Sequence, residues 1–503
     1  MVNWAGMLGS KVLISTATII PVEAQALFEA YKHGRDHYLK AKQDQSETSK
    51  ICCAWFDECN TPNQQLIDSV EAFKQTHAKF VIERDKKLAK TSLKLRQGKL
   101  IDINGNEPSY SERMASRIYQ SIIELHKHHT VDLADKHISI GLVRIANINP
   151  LVQIAKLLLA KDAPSNTRIH YCVYHGQYPL LQRTSIEQLL DKALKRHDYD
   201  TWCKDSGIAE IVRSSKEQHH IFVVLATSVA EVGRDHDYDW AVVEPSSQRS
   251  IIQLAGRVQR HRKQTPKIAN IHVLAKNYKG LKGMGICFTK PGFETSLIRY
   301  CSYDLHQLNI EDSLTDITAS SRLLEPSAPA LTNDRPPKFM KFSELEHIAQ
   351  HITLYGSKSN LNYAARWWKH NVSWCAEMQR LQPFRQSLLS HDYCLMLTRE
   401  NKAKWQRKVE GEYPIKYQPT DDIQIPKNAV ALASGVSMWH HFNLAQKVIS
   451  LSEKVGKSQL HTLQTYTHVS LQEYDTDNPS QWYYQAELGI YKQLRKDDCG
   501  NDK

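Results

Sequence analysis

The run Phe222-Val-Val-Leu-Ala226-Thr-Ser-Val-Ala-Glu231-Val-Gly233-Arg-Asp235 decides the fold of this chain. Five apolar residues that give way to a polar loop read as a strand buried on both faces, the kind found in parallel sheets. The loop that follows supplies two hydroxyls, a glycine and a carboxylate. Nucleotide-binding α/β domains set such groups at the C-terminal end of a strand, where their ligands lie. Read alone, the run predicts only a parallel strand and its turn.

The neighbouring sequence extends the pattern. Strands are predicted at Ile138–Val143, Ile169–Tyr174, Trp240–Glu244 and Ile271–Leu274, with helices at Leu151–Ala160, Ser185–Arg196 and Arg249–Arg260. That alternation predicts an α/β fold, a parallel sheet with helices on both faces. Arg144 and His175 end the first two of these strands, where such sheets bind ligands, and a capping or loop role suits each of them equally well.

The last helix runs into Gln253-Leu-Ala-Gly-Arg257-Val-Gln-Arg260. Gly256 lets the backbone pass close to a neighbour, and Arg257 and Arg260, three apart, share a helical face. Such a pair can neutralise charge developing on a transferred phosphoryl group. An arginine pair on a helix is more often a solvated face.

Upstream, apolar Val12–Ile14 predicts a strand leading into Ser15-Thr-Ala-Thr18. A complete nucleotide-driven motor also needs a G-x-x-x-x-G-K-[ST] loop and an acidic magnesium motif, and neither precedes Ser15. Gly456-Lys-Ser458 fails because Leu451 occupies the first glycine position. Ile51-Cys-Cys-Ala-Trp-Phe-Asp57-Glu58 sets acids after a strand, but downstream of Ser15, and reads as a structural strand end.

In order, Ser15–Thr18, Thr227–Asp235 and Gln253–Arg260 resemble the third, fifth and sixth motifs of superfamily 2 helicases. The wording at residues 3–18, 53–58, 141–147 and 226–240 is similar to the helicase-nuclease effector of type I CRISPR interference, subtype I-F. The resemblance implies the end of a first RecA-like motor domain at 1–45 and a charged connecting segment at 46–136. It places a second RecA-like motor domain at 137–312, a linker at 313–341 and a mainly helical C-terminal domain at 342–503.

The same resemblance assigns catalytic roles to Arg257 and Arg260 and nucleotide contacts to Gly233, Asp235, Gln253 and Gly256. DNA contacts fall to Ser15, Thr16, Thr18, Arg144, Thr227 and Ser228. The implied cofactor is ATP with Mg²⁺, held against a first motor domain that the sequence lacks. The divalent metals of the family's HD nuclease are implied off this chain too. Partners are single-stranded DNA, the guide-RNA surveillance complex and the adaptation integrase complex. Alone, the chain is expected to be inactive. Two other readings stand beside this one: a DNA-binding or docking product of a split gene, and a generic superfamily 2 fragment.

His197-Asp198, His236-Asp237 and His391-Asp392 are HD dipeptides, but they do not recur as converging helical ligands upstream of the motor. They read as capping or solvated pairs, so no metal site is assigned. The net charge of +11 over 503 residues, with 24 histidines, suits a polyanionic partner. Ten cysteines without a C-x-x-C pair or a secretory leader predict reduced thiols and a soluble cytoplasmic protein. The lysine-rich stretch from Glu71 to Asp135 reads chiefly as an exposed helical face. Trp367, Trp368, Trp374, Phe384 and Trp482–Tyr484 interleave with basic residues, and core packing is the commoner role for such aromatics.

Overall fold

Among the described residues, seven parallel strands form the central sheet, in the order Val436–Met438, Thr167–Tyr174, His219–Ala226, Lys136–Arg144, Trp240–Val243, Ile271–Leu274 and Gly98–Ile101. Val131–Leu133 adds an antiparallel partner to Lys136–Arg144. A computed structural model describes residues 1–16, 18–42, 50–58, 60–91, 93–133, 135–231, 233–324, 341–357, 363–370, 389–412, 415–472 and 481–493. The α/β fold and parallel sheet expected from the sequence are present. The chain divides into two compact units: Leu95–Ser246, Gln253–Cys287 and Ser387–Lys503 form one, and Met1–Lys94, Ser247–Ile252 and Phe288–Gln386 the other.

In the sheet unit, Ile221, Val223 and Leu225 pack with residues of helices Tyr110–His128 and Ile148–Leu159. Phe222, Val224 and Ala226 alternate to the other face and are equally buried, so both faces are covered. Tyr110–His128 begins at a capping box. Ser109 Oγ accepts from the Glu112 amide at 3.1 Å, and the Glu112 carboxylate accepts from the Ser109 amide at 3.0 Å. Gly141 lacks a side chain for a steric reason, since a Cβ there would lie 2.2 Å from the Trp240 ring.

The C-terminal stretch at 342–503, expected to be mainly helical, is helical at first, in Phe342–Tyr355 and Arg366–Lys369, and mixed after that. Between Ser390 and Lys492 the described residues form eight strands and two helices, Leu444–Val455 and Gln459–Tyr466. The physical reason is period-2 burial in short, polar segments: Val469 and Leu471 are buried between exposed Ser470 and Gln472. Tyr484 is also buried and donates to Gln182 Oε1 at 2.8 Å. Trp374, Phe384 and most of the expected 313–341 linker lie outside the described residues, and 311–323 holds two one-turn helices.

In the other unit, Pro21–Ala41 is a helix with proline in its first turn. Val2–Met7 crosses it at glycines, for a Cβ on Gly34 would meet Asn3 O at 2.0 Å. Ile51–Trp55 pairs antiparallel with Asn63–Ile67, and Arg84 binds Glu58 at 2.9 Å. Phe28 and Phe73 stack at 4.4 Å beneath this hairpin's Trp55, and Trp368 packs with Ala26 and Ala30. Val12–Ile14 is not a strand, and Leu13 is 87% exposed. A strand needs a neighbour for its backbone groups, and none among the described residues pairs with this one.

Candidate functional site

The helix predicted to reach Arg260 stops at Ala255. Arg257 and Val258 close the turn with bonds to Leu254 O and Ala255 O, at 2.8 and 3.0 Å. Gln259 then takes a positive φ of 49°. The segment 257–262 runs beside Tyr238, whose amide donates to Arg257 O at 2.8 Å and whose carbonyl accepts from the Gln259 amide at 3.0 Å. Arg257 and Arg260 therefore do not share a helical face. Arg257 bonds to the Glu231 and Arg234 carbonyls, and Arg260 to the Asp235 carboxylate.

Three carboxylates at period 2, Asp235, Asp237 and Asp239, receive this arginine segment. Arg262 forks onto Asp237 at 2.8 and 3.1 Å and also reaches Asp239. Asp239 accepts further from Arg196 at 3.0 Å and from the Ile140 amide at 2.7 Å. Burial pushes the Asp239 carboxyl up, but Arg196 and Arg262 outweigh it and leave it below its ordinary value. Asp237 also accepts from the Arg260 amide at 3.0 Å. These two carboxylates are buried and belong to the frame.

Asp235 is the exposed one. Its Oδ1 accepts from Arg260 Nε at 2.7 Å and His261 Nε2 at 3.0 Å, and its Oδ2 from His197 Nε2 at 3.1 Å. Hydrogen bonds from His261 and then Arg260 hold its carboxyl well below the usual range. Arg257 instead donates to the Glu231 and Arg234 carbonyls. Gly233, at φ 72°, makes the left-handed turn between them. Arg234 anchors the loop to Glu187 and Asp191 on the helix Leu180–Leu194. Gln253 and Gly256 are half-buried beside the helix end. Thr227 is buried at the strand end, and Ser228 begins a short 3-10 turn.

Two expected ligand contacts are corrected. Arg144 has no exposed side chain: it binds Glu231 Oε1 at 2.5 Å, Glu244 O at 2.7 Å and Ser246 Oγ at 2.7 Å. A guanidinium fully enclosed by acceptors cannot also touch a nucleic-acid backbone. His175 is buried too; it donates from Nε2 to Leu488 O at 2.8 Å and accepts at Nδ1 from the Gln177 amide. In the other unit Ser15 and Thr16 are exposed, Thr18 is half-buried, and all three lie outside helices and strands.

Sequence reasoning missed Arg196, His197, Asp237, Asp239, His261 and Arg262. The signals were present: acids alternate at 235, 237 and 239, and arginines stand at 260 and 262. Asp198 caps the helix Tyr199–Asp205 through the Thr201 amide, and His236 binds Asp191 at 2.9 Å. His197, Asp235 and His261 bring one ligand atom each within 4.8 Å of one another. However, His261 Nδ1 accepts from the Arg196 amide at 3.1 Å. That fixes the proton on Nε2, so the ring offers Asp235 a donor, whereas a metal ligand needs the lone pair there. Among the described residues, no helix is long and apolar enough to cross a membrane.

Comparison with known proteins bears on this loop and segment directly. A family model described as CRISPR-associated nuclease/helicase Cas3, C-terminal, matches residues 137–263. The chain is 41% identical over 415 residues to the CRISPR-associated nuclease/helicase Cas3 subtype I-F/YPEST of Pectobacterium atrosepticum, covering 80% of this chain and 37% of that protein. It is 34% identical over 501 residues to the protein of the same description from Pseudomonas aeruginosa, covering 98% and 45%. The crystal structure of T. fusca Cas3-AMPPNP shares 17% identity at a TM-score of 0.34, over 55% of this chain and 28% of that one. The chain thus spans less than half the length of these curated relatives.

Proposed function

On the premise that the chain belongs to the subtype I-F Cas3 nuclease/helicase family, we propose that it carries the second motor half of an ATP-dependent DNA translocase. One observation carries this reading: Arg260 is exposed and bound to Asp235, while Arg257 donates to the Glu231 and Arg234 carbonyls. Arg260 is placed to meet the triphosphate, and Arg257 to set the loop. Gly233, Asp235, Gln253 and Gly256 border the nucleotide, with Mg²⁺ held by residues outside this sequence. An arginine reaching a transferring phosphoryl group stabilises its developing charge.

Thr227 and Ser228, at the strand end, contact the DNA backbone from the sheet unit; Ser15, Thr16 and Thr18 are DNA contacts of the other unit. In the working protein this motor draws the displaced single strand of a target, recruited by the guide-RNA surveillance complex, toward a nuclease supplied elsewhere. The adaptation integrase complex is a further partner. The proposal extends to a cytoplasmic location and to an inactive state of the isolated chain.

The test joins this chain to a relative's segment that carries a phosphate loop and an acidic magnesium motif. DNA-stimulated ATP hydrolysis should appear, and Arg260→Ala should lower it about 10³-fold with folding intact. Undiminished hydrolysis in that variant removes Arg260 from catalysis. A second reading is a DNA-docking module without hydrolysis. In that case single-stranded DNA binds with a steep salt dependence and no ATPase appears in the joined protein.

A further inference from the structure

Three donors converge on the Asp235 carboxylate: Arg260 Nε at 2.7 Å, His261 Nε2 at 3.0 Å and His197 Nε2 at 3.1 Å. Such convergence is what a phosphate oxygen also meets in a binding site. The carboxylate and its arginine are accessible, with side chains 44% and 42% exposed, whereas Asp237 and Asp239 are 0% and 2% exposed. An exposed pair of this kind holds by only about two- to fivefold. A multiply charged phosphate can displace it.

The histidines explain how the carboxylate survives that exchange. His261 is buried, and its Nδ1 accepts from the Arg196 amide, so its Nε2 must donate. His197 is exposed, yet it stacks on His261 with ring centroids 3.6 Å apart and planes 26° apart. Packing therefore fixes its Nε2 toward Asp235. Neither donor belongs to the two motif stretches around which the site was recognised in the sequence.

We infer that Asp235 stands in for the nucleotide phosphate: it holds Arg260 until a phosphate takes the guanidinium, and His197 with His261 then keeps the vacated carboxylate hydrogen-bonded. His197 is thus a positioning residue of the exchange. The inference rests on the ATP-site reading above and adds to it a resting state and two residues that maintain it.

The experiment measures binding of MgATP, pyrophosphate and single-stranded DNA by calorimetry to the joined protein that carries the phosphate loop and the acidic magnesium motif. Variants are Asp235→Asn, Arg260→Ala, the double variant, His197→Ala and His197→Gln. Loss of the competing carboxylate should tighten MgATP and pyrophosphate about two- to fivefold, and Arg260→Ala should cancel that gain. His197→Ala should weaken both ligands, because Asp235 then yields Arg260 less readily. His197→Gln keeps a donor and should restore affinity. If Asp235→Asn binds no tighter while Arg260→Ala still weakens MgATP, the exchange is overturned and the ATP site stands. If tightening appears for DNA and not for MgATP, the phosphate concerned is not the nucleotide's. If no variant binds MgATP or pyrophosphate, the ATP-site reading itself fails.

Discussion

Arg257 donates twice to the main-chain carbonyl of Glu231, from Nη2 at 2.8 Å and from Nε at 3.1 Å. A planar fork closed on a backbone oxygen positions a loop and leaves little for a ligand. Arg257→Ala should therefore cost stability, about 1–3 kcal/mol from buried acceptors left unmatched. Arg260→Ala, at an exposed pair, should change it by less than about 0.5 kcal/mol. Urea denaturation of the two variants checks the contrast. Equal costs would mean that Arg260, too, belongs to the frame.

Arg144 and Glu231 form a buried ion pair, with side chains 0% and 3% exposed. Arg144→Ala removes one partner of a buried ion pair and should destabilise by about 3–5 kcal/mol. Replacing both partners, as Arg144→Met with Glu231→Leu, should cost less than that single change. The salt dependence of DNA binding should be unaltered in the folded double variant. A stable Arg144→Ala protein with a shallower salt slope would return Arg144 to the DNA contacts.

The sheet was legible because its strands are continuous apolar runs. His219–Ala226 and Ile271–Leu274 are buried on both faces, and no other structure suits such runs between helices. Edge strands were not legible. Val436–Met438 is three residues long and enters the sheet only by pairing with Ile169–Tyr171, more than 260 positions away. Nor was the polar side of the site. Periodicity placed Arg260 on a helix, but Gln259's positive φ and the Tyr238 bridge, both set by tertiary contact, turn it toward Asp235. Arg144 looked like a ligand contact because strand ends usually bind, and only burial shows it closed in by Glu231, Glu244 and Ser246.

Gly141 and Trp240 face each other on adjacent strands, in register. A methyl at Gly141 would sit 2.2 Å from the indole, in a core without room to relax. Gly141→Ala should lower stability by about 1–3 kcal/mol or more through overpacking. Adding Trp240→Leu should recover part of that loss, although Trp240→Leu alone is destabilising. Thermal unfolding of the three variants reads the coupling. Strictly additive costs would mean that the two residues do not collide.

His175 links the sheet to the C-terminal segment through its bond to Leu488 O, and burial pushes its imidazole down to about 4. The unfolded chain titrates near the ordinary value of about 6.5. Between these values the unfolded state binds the proton and the folded state does not, so stability falls as the solution is acidified. The contribution is complete above about pH 6.5 and is lost progressively toward pH 4, at about 1.4 kcal/mol per unit. Burial also pushes His126 and His272 down to about 4, so the protein's total acid slope is steeper than one residue gives. His175→Gln retains a donor for Leu488 O but cannot take the proton. The unfolding free energies from urea titrations at pH 7 and pH 5 should therefore differ by about 2 kcal/mol less in this variant than in the unmodified protein. An unchanged difference would mean that His175 accepts a proton without leaving its site.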